Sequence, residues 1–589
     1  MKKGFITCLI VFFFLPLKAQ KKKNNKKKDT VKTEVVNIIT KYNPKIANAK
    51  KIVKNPEIKL LEKSKKKKLK YAIFSAPVAS TFIPKTGVVK GIDVGVKERI
   101  YNNYLALGYG NYNTPFLETY MHYNTRFKNE FGLYTKYIGA LDNIENTVLN
   151  SGFSNLIADV YYKQEERYFD WKVNFRAEQN KYNWYGLPDL NFSQLTTNLI
   201  NEEQNYNFFK VSAEFKFIDS YIDFGKFSSS FLTDNFGSKE VLANFHAKLD
   251  FPLDFFKEGL NDISVKTGLE ILKGNFNHNY IDKTAINYTI ITAKATPKYK
   301  LAYKGFSLDA GLKFIASIDT ENNITNFFVF PDFKIQRQII KDYLNAYGGI
   351  TGSLKTNSFK NFSEENPFVS PTLFITQTAE NSNIYFGLKG KVTNNISFNV
   401  VTTFKSEEDK PLFIRNNSKS DGTVNVANTT PLLGYEYGNS FSVFYDDVKT
   451  TSIFAEIEYD FTNKITLGTS FSLDNYTVNK ALTNWNLPNI QASLFGKYKS
   501  NKWYATTNIF YVGEREDALY NSQFPSSIRG FQKIDSFVDV NLNGGYHFND
   551  KFSAFLKLNN ILNNNYQRFA NFNTQGFQIL GGITYKFDF

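Results

Sequence analysis

The chain of 589 residues carries 72 basic and 55 acidic side chains, one cysteine and four histidines, and its formal net charge is +17. A single cysteine excludes an intrachain disulfide framework and a site with several cysteine ligands, and the histidines, His122, His246, His278 and His547, lack metal-ligand spacing. The mean hydropathy of -0.36 does not exclude a membrane β-barrel, whose strands alternate apolar and polar residues. We therefore predict no metal and no cofactor.

The first 19 residues have the organisation of a secretory signal peptide. A basic start is followed by an apolar run from Ile6 to Leu17 and by Ala19, a small residue suited to cleavage. The run of about 12 residues is shorter than the roughly 20 that a membrane-spanning helix needs, so a retained anchor is the weaker alternative. We predict that residues 1–19 are removed on export, together with the only cysteine, Cys8.

The next segment, residues 20–95, contains most of the positive charge. Residues 21–70 hold 19 lysines and four acidic residues, a balance of +15, and the signal peptide holds +3. Subtracting both from +17 leaves -1 for residues 71–589. Because the lysines are not interleaved with aromatic residues on which bases would stack, we predict no nucleic-acid partner. A solvated or lipid-associated periplasmic segment is expected, with a specific anionic partner as the alternative.

From Tyr101 onward the sequence repeats stretches of about ten residues in which apolar and polar side chains alternate. In the clearest early stretch, Phe209, Val211, Ala213, Phe215 and Phe217 alternate with Lys210, Ser212, Glu214 and Lys216. The final stretch, from Phe577 to Phe587, alternates in the same way. Successive side chains of a strand point to opposite faces, so we expect one face toward lipid and the other toward a wet lumen.

Short and long connections alternate between these stretches. Short turns are predicted at 219–220, 304–305, 393–395, 462–464, 500–502 and 549–551, and the longest connections at 180–206 and 406–438. Short periplasmic turns and long outer loops are typical of an outer-membrane barrel rather than a soluble β-sandwich. Placing 372–378 and 440–446 in outer loops gives 22 strands. We therefore predict an all-β fold, a transmembrane antiparallel β-barrel of about 22 strands over residues 96–589, located in a bacterial outer membrane.

Aromatic residues in the long connections are candidate ligand contacts, because aromatic rings present large, rigid surfaces with a polar edge. They are Trp184, Tyr185 and Trp485. The alternative is that these rings belong to the interfacial girdles of the barrel. No catalytic constellation is visible, since the sequence places no serine or carboxylate beside His246. We predict that the protein is not an enzyme.

Short motifs near the C-terminus resemble those of the TonB-dependent receptor family. They are the segment from Phe537 to Leu542, the asparagine- and leucine-rich segment from Leu558 to Asn563 with Tyr566, and the start of the closing strand at Gly576. The family usually has glycine-arginine at this last position, whereas this chain has Gln578. A further segment from Tyr385 to Gly390 is similar to barrel segments of receptor-like proteins of the Bacteroidota. The resemblance covers the barrel, residues 96–589.

The resemblance implies a plug domain ahead of the barrel, but the segment before the barrel is shorter than the family's plug and lacks its glycine-arginine motifs. We therefore expect a missing or reduced plug, with the stretch from Ala76 to Phe82 as a possible remnant in the lumen. The segment Glu34, Val35, Val36, Asn37 and Ile38 resembles the extended stretch that pairs with TonB by strand addition. Its alternative is an ordinary apolar patch in a mobile tail.

The resemblance favours transport of a ligand across the outer membrane, with periplasmic energy input through TonB. Two alternatives stay open: a passive, plug-less porin, and a structural or assembly subunit of an outer-membrane complex. The expected partners are outer-membrane lipid, TonB, and a surface lipoprotein or other envelope protein. The sequence does not specify the substrate.

Overall fold

The computed structural model describes residues 101–125, 128–188, 190, 192–252, 260–282, 284–423 and 432–589. These residues belong to the second of two units of the chain, Gly91–Phe589. The predicted signal peptide, the basic segment 20–95 and the stretch from Glu34 to Ile38 lie outside the described residues. Within the described ranges, no helix is both long and apolar enough to cross a membrane.

The described residues form 26 strands and two short helices, α1 (Gln194–Thr197) and α2 (Phe359–Glu365). The first half of the strands is β1 (Asn103–Gly110), β2 (Thr114–Asn124), β3 (Asn129–Ala140), β4 (Phe153–Glu165), β5 (Phe169–Asn183), β6 (Glu203–Phe217), β7 (Ile222–Thr233), β8 (Lys239–Pro252), β9 (Leu260–Phe276), β10 (Ile286–Tyr303), β11 (Phe306–Asp319), β12 (Ile324–Ile340) and β13 (Leu344–Thr356). The second half is β14 (Gln377–Thr393), β15 (Ile396–Arg415), β16 (Phe441–Thr462), β17 (Ile465–Thr477), β18 (Ile490–Lys499), β19 (Trp503–Val512), β20 (Arg515–Tyr520), β21 (Ile528–Ile534), β22 (Phe537–His547), β23 (Phe552–Asn559), β24 (Gln567–Phe569), β25 (Phe572–Asn573) and β26 (Gln578–Phe587).

Twenty-two of these strands form one closed antiparallel barrel. Each pairs with its neighbour in chain order, and the first strand β1 closes the sheet by pairing with the last strand β26, with Tyr104 opposite Lys586 and Gly110 opposite Leu580. The remaining strands form two separate hairpins, β20–β21 and β24–β25. The predicted 22-stranded barrel is confirmed. Closure leaves no sheet edge whose backbone groups would lack hydrogen bonds in lipid.

The two faces of the wall differ as the alternation predicts. On β6, Phe209, Val211 and Phe215 are exposed on the outer face. On the closing strand, Ile583 points outward and is 52% exposed, whereas Leu580 points inward and is 6% exposed. A band of exposed apolar side chains around the whole barrel is stable only against another apolar phase, because each large side chain contributes about 1.5–3 kcal/mol when it leaves water. The outer wall therefore fits the hydrocarbon core of a bilayer.

The six predicted short turns all join neighbouring barrel strands at one end of the barrel, which we call the short-turn end. The turn between β10 and β11 illustrates how the sequence favours a tight turn. Lys304 and Gly305 have φ values of 44° and 77°, the left-handed geometry of a two-residue hairpin turn in which glycine is favoured. The opposite end carries the long loops, and we call it the long-loop end.

The predicted long connection 406–438 is too long, because β15 continues to Arg415 and its partner β16 begins at Phe441. The pairing is interrupted between Glu407 and Lys410, where the register shifts, and then resumes to Arg415. Part of the predicted loop segment 440–446 therefore belongs to a strand, as do residues 377–378 of the segment 372–378. The strand count is unaffected, since these residues extend spanning strands beyond the roughly 10 residues that a bilayer requires.

Candidate functional site

Four long loops fold over the opening of the barrel at the long-loop end. They are the loops 184–202, 357–376, 416–440 and 560–577, and we call their described residues the cap. Aromatic and aliphatic side chains of the cap share one buried cluster with inward side chains of the wall, including Tyr206, Phe208, Leu232, Leu272, Phe276, Tyr288, Phe359, Phe362, Val369, Phe413, Phe441, Phe569 and Phe572. The cap is therefore packed against the wall as a continuation of its inner face.

Trp184 joins three of the loops. Its indole Nε1 donates to the backbone oxygen of Phe368 at 3.1 Å, and its ring meets that of Tyr435 edge to face at 5.5 Å between centroids. The side-chain amide of Asn439 donates to the backbone oxygen of Trp184 at 2.6 Å. Since Trp184, Phe368 and Asn439 lie in different loops, one fully buried side chain ties the three together.

The fourth loop joins the others through aromatic contacts. The rings of Phe368 and Phe572 stack with centroids 3.8 Å apart and an interplanar angle of 22°. Nearby, the hydroxyl of Tyr185 donates to the backbone oxygen of Asn573 at 2.7 Å. Aromatic pairs of this kind stabilise by about 0.5–1.5 kcal/mol beyond the burial of their area. The hairpin β24–β25 is thereby held at the centre of the cap.

Helix α2 is anchored to the wall by a buried carboxylate. Glu240, on β8, accepts hydrogen bonds from the backbone N–H groups of Phe359 at 2.7 Å and Lys360 at 3.1 Å, and from the hydroxyl of Tyr288 at 2.8 Å. Ser358 caps the same helix end, its hydroxyl accepting from the backbone N–H of Asn361. The first turn of α2 thus has its free N–H groups satisfied from the barrel wall.

A second anchor lies on β5. The ammonium of Lys360 is 2.5 Å from the carboxylate of Glu178, which also accepts from Nε of Arg176 at 2.5 Å. The loop that carries Lys360 leaves the barrel at β13, eight strands away from β5 around the wall. It therefore reaches over part of the opening to another sector of the wall.

The hairpin β20–β21 is attached to the end of β15 through the buried side chain of Asp517. Asp517 is fully buried and accepts from the backbone N–H of Arg415 at 2.9 Å, while the guanidinium of Arg415 donates to the backbone oxygen of Ala518 at 3.0 Å. Burial raises the pKa of Asp517, and the charge of Arg415 and the hydrogen bonds from backbone N–H groups oppose the rise. This hairpin and the loop 478–489 form a second buried cluster beside the cap.

The lumen wall below the cap carries charges of both signs. Lys298 on β10 pairs with Asp332 on β12 at 2.6 Å. Lys355 lies 3.0 Å from Glu407 and 3.1 Å from Glu380, across β13, β14 and β15. These side chains occupy the inward positions of the alternation, so the interior offers both cationic and anionic groups to a polar ligand.

A polar aromatic cluster lines the lumen near the short-turn end of β2 to β5. Nδ1 of His122 is 2.9 Å from the hydroxyl of Tyr161, and that hydroxyl is 3.2 Å from the hydroxyl of Tyr120. The ammonium of Lys172 lies 4.3 Å from the ring centroid of Tyr161. The ring lies over Gly132, where a Cβ would be 2.1 Å from it. Glycine at this position therefore makes room for the tyrosine.

The three candidate ligand contacts are buried or partly buried in the loop layer. Trp184 and Trp485 are 0% and 1% exposed, and Trp485 packs with Leu412 and Ile414 in the second cluster. Tyr185 is partly buried against the main cluster. Direct contact of these residues with a ligand stays a prediction, and in this structure it requires the loops to move. Sequence reasoning missed Glu240 and Lys360, whose contacts join segments far apart in the chain.

In the described part of the chain, no three histidine, cysteine, aspartate or glutamate side chains are grouped so as to hold a metal ion. A cavity of about 330 Å³ opens between the loop 478–489 and the base of the β20–β21 hairpin. Its lining mixes Glu514, Arg515 and Glu516 with apolar side chains, and so it does not define one ligand class.

Comparison with known proteins places the fold. No family model matches the chain, and no curated protein matches it in sequence. Among solved structures, it is similar to the Pseudomonas aeruginosa FpvA in complex with an iron-loaded pyoverdine, with a TM-score of 0.61, 12% identity, and coverage of 83% of this chain and 72% of that one. The siderophore receptor PirA from Acinetobacter baumannii gives a TM-score of 0.61 and 11% identity, with 82% and 80% covered. A mutant of the ferric enterobactin receptor PfeA from P. aeruginosa gives 0.59 and 9%, with the same coverage. The structural neighbours are thus siderophore receptors. Because the sequence identities are low, the structural similarity establishes a shared barrel fold and nothing more specific.

Proposed function

We propose that this protein is an outer-membrane, TonB-dependent receptor-like barrel that transports a ligand, and that the cap is the gate the ligand must open. The observation that carries the proposal is the contact of Trp184 with Phe368 and of Phe368 with Phe572, which bridges loops from separate parts of the wall. A lumen lined by ion pairs, such as Lys298 with Asp332, provides a polar route beneath it.

The membrane placement rests on the two faces of the wall. Outward residues such as Phe245, Leu269 and Ile271 are exposed, whereas the inward positions of the same strands carry Glu240, His246 and Glu270. This is the pattern of a barrel with lipid outside and water inside. By the length of its connections, the short-turn end faces the periplasm and the cap faces the exterior. Export by the signal peptide 1–19 fits this placement.

A cap whose loops are packed against one another favours a gated receptor over a passive porin. A buried cluster that includes Phe362, Phe413 and Phe569 joins loops across the opening, and opening it exposes these side chains to water. Burial of each such side chain contributes about 1.5–3 kcal/mol, so an open cap is a minor state without ligand or applied force. In this proposal TonB contacts the segment from Glu34 to Ile38 and supplies the energy that opens the cap.

The substrate class to test first is a ferric siderophore, because the structural neighbours include the ferric enterobactin receptor and FpvA bound to an iron-loaded pyoverdine. The lumen offers polar groups to such a ligand, with cationic groups at Lys298 and Lys355 and aromatic hydroxyls at Tyr120 and Tyr161. Surface lipoproteins or other envelope proteins stay candidate partners at the exposed side of the cap.

Conductance in a planar bilayer tests the gate. The purified full-length protein is expected to show little steady conductance, and a variant lacking residues 366–376 is expected to conduct. In a second variant, F368C/F572C, a short thiol-reactive cross-linker joins the two cysteines. This variant should lose ligand uptake after cross-linking, whereas F368C treated with the same reagent should retain ligand uptake. A large steady conductance of the unmodified protein would instead identify a porin.

TonB coupling needs its own test. Deleting residues 30–40 should abolish energised uptake in cells while leaving the amount of protein in the outer membrane unchanged. Unchanged uptake would remove TonB from the proposal and leave the gate intact.

A further inference from the structure

The outer wall of β8, β9 and β10 is uncharged over most of its height. Its outward positions on β8 and β9 below the long-loop end include Val241, Phe245, Leu269 and Ile271, all of them exposed. Among the described side chains at outward positions of these three strands, only Lys239 and Lys273 are charged, and both lie at the long-loop end. Both are exposed. The two lysines thus form the upper border of an apolar surface.

The strand register brings the two lysines together. Lys239 is opposite Asn275, and Lys273 is opposite Val241, so the lysines are diagonal neighbours on one face, roughly 7–8 Å apart at their backbones. Long lysine side chains at this separation can converge on one group. On β10, Thr289 lies opposite Lys273 at the same level.

No described carboxylate neutralises the pair. Neither ammonium has an acidic partner within 4.0 Å among the residues that the structure describes. Glu321, in the loop between β11 and β12, accepts a hydrogen bond from the hydroxyl of Thr289 at 3.1 Å. The adjacent Glu240 points inward, where it binds helix α2. Two cations therefore share one outward surface without compensation.

Other outward lysines at this end lack one of these features. Lys181 on β5 is diagonal to Glu203 on β6, because Lys181 is opposite Asn205 and Asn183 is opposite Glu203. Lys449 on β16 lies between Ser406 and Thr477 as a single cation. The pairing of two uncompensated cations above an apolar wall is therefore specific to β8 and β9.

We propose that Lys239 and Lys273, with Asn275, bind the phosphate of an anionic lipid in the outer leaflet. The inference rests on the proposed placement of the barrel in a membrane. The acyl chains of such a lipid lie along Val241, Ile271 and Leu269, and its phosphate lies at the level of the two ammonium groups. Cations near an anionic membrane surface each contribute favourable energy, and paired ammonium groups add charge-assisted hydrogen bonds. The lipid holds this sector of the wall at a fixed height.

Native mass spectrometry of the detergent-solubilised full-length protein tests the site. The probes are phosphatidic acid, phosphatidylcholine and inorganic phosphate. The unmodified protein should retain phosphatidic acid in preference to phosphatidylcholine, and K239Q/K273Q should lower that retention about tenfold. The matched controls K449Q and K181Q should retain it as the unmodified protein does.

Two results would overturn the site: equal loss of phosphatidic acid in K449Q, or binding of inorganic phosphate that displaces the lipid at equal concentration. The assay reads lipid retention and not uptake, so a failed gate or a failed transport assay leaves its result interpretable. Fractionation of cell envelopes tests the membrane placement separately. If the protein is absent from the outer membrane, the proposed function fails even where the lysine pair binds the lipid in detergent.

Discussion

The carboxylate of Glu240 accepts a hydrogen bond of 2.7 Å from the backbone N–H of Phe359, a residue 119 positions further along the chain. Glu240 belongs to the wall and Phe359 to the loop that reaches over part of the opening. The same carboxylate also accepts from Lys360 and Tyr288. Because all three donors use one acidic side chain, the position of helix α2 depends on its charge.

Replacing Glu240 by glutamine should loosen helix α2 without unfolding the barrel. Hydrogen bonds to a charged acceptor contribute about 1.5–3 kcal/mol each, and the amide of glutamine retains one acceptor oxygen without the charge. Hydrogen exchange at residues 359–365 should therefore speed up in E240Q, and bilayer conductance should rise. The matched control is E321Q, since Glu321 is exposed and its carboxylate accepts, among the described residues, only from Thr289. Unchanged exchange in E240Q would show that packing alone holds the helix.

Truncation of Trp184 separates a structural role from ligand contact. Its side chain is fully buried between three loops, so W184A should destabilise the cap by about 3–5 kcal/mol. Limited proteolysis of the cap loops should become faster, and the exposed Leu195 supplies the control L195A. If W184A instead weakens ligand binding while the cap resists protease as before, the tryptophan contacts ligand directly.

An added methyl group at Gly132 should destabilise the barrel near its short-turn end. A Cβ there would be 2.1 Å from the ring of Tyr161, whereas a Cβ at Gly225 would meet nothing within 4 Å. Displacing the ring breaks its contacts with His122 and Tyr120. We expect G132A to lower the free energy of unfolding in detergent by about 1–3 kcal/mol. G225A should change it by much less, and similar losses in both would point to backbone propensity as the cause.

The barrel could be predicted from sequence because its signals are local. Phe209 and Lys210 alternate within one strand, and the turn at Lys304 and Gly305 needs only two residues to define it. Closure of the barrel could also be predicted, because the number of alternating stretches is even. The prediction failed at Glu407, where the register shift interrupts the alternation and β15 then continues to Arg415. In the sequence, an interruption of the alternation between apolar and polar residues resembles the start of a loop.

The cap could not be predicted because its contacts are not local. Phe368 and Phe572 stack although they are separated by more than 200 positions, and neither lies in a periodic stretch. Sequence analysis singled out Trp184 as a candidate ligand contact because it is an aromatic residue in a long connection. The structure gives a different environment, in which the loops bury one another's aromatic residues. The length of a loop does not indicate whether its side chains face solvent or another loop.

Acid should tighten the attachment of the β20–β21 hairpin. Burial raises the pKa of Asp517, and it also raises the pKa of Asp234 in the loop between β7 and β8. A carboxyl whose pKa is higher in the folded state binds more protons there than in the unfolded state, so its contribution to stability falls as pH rises. For Asp517 the loss begins near its ordinary value of 3.8 and ends above its raised pKa. Hydrogen exchange in residues 515–534 should accordingly be slowest at low pH, after correction for intrinsic rates, and D517N should flatten that dependence. A hairpin that loosens as pH falls would show instead that the attraction between ionised Asp517 and Arg415 dominates.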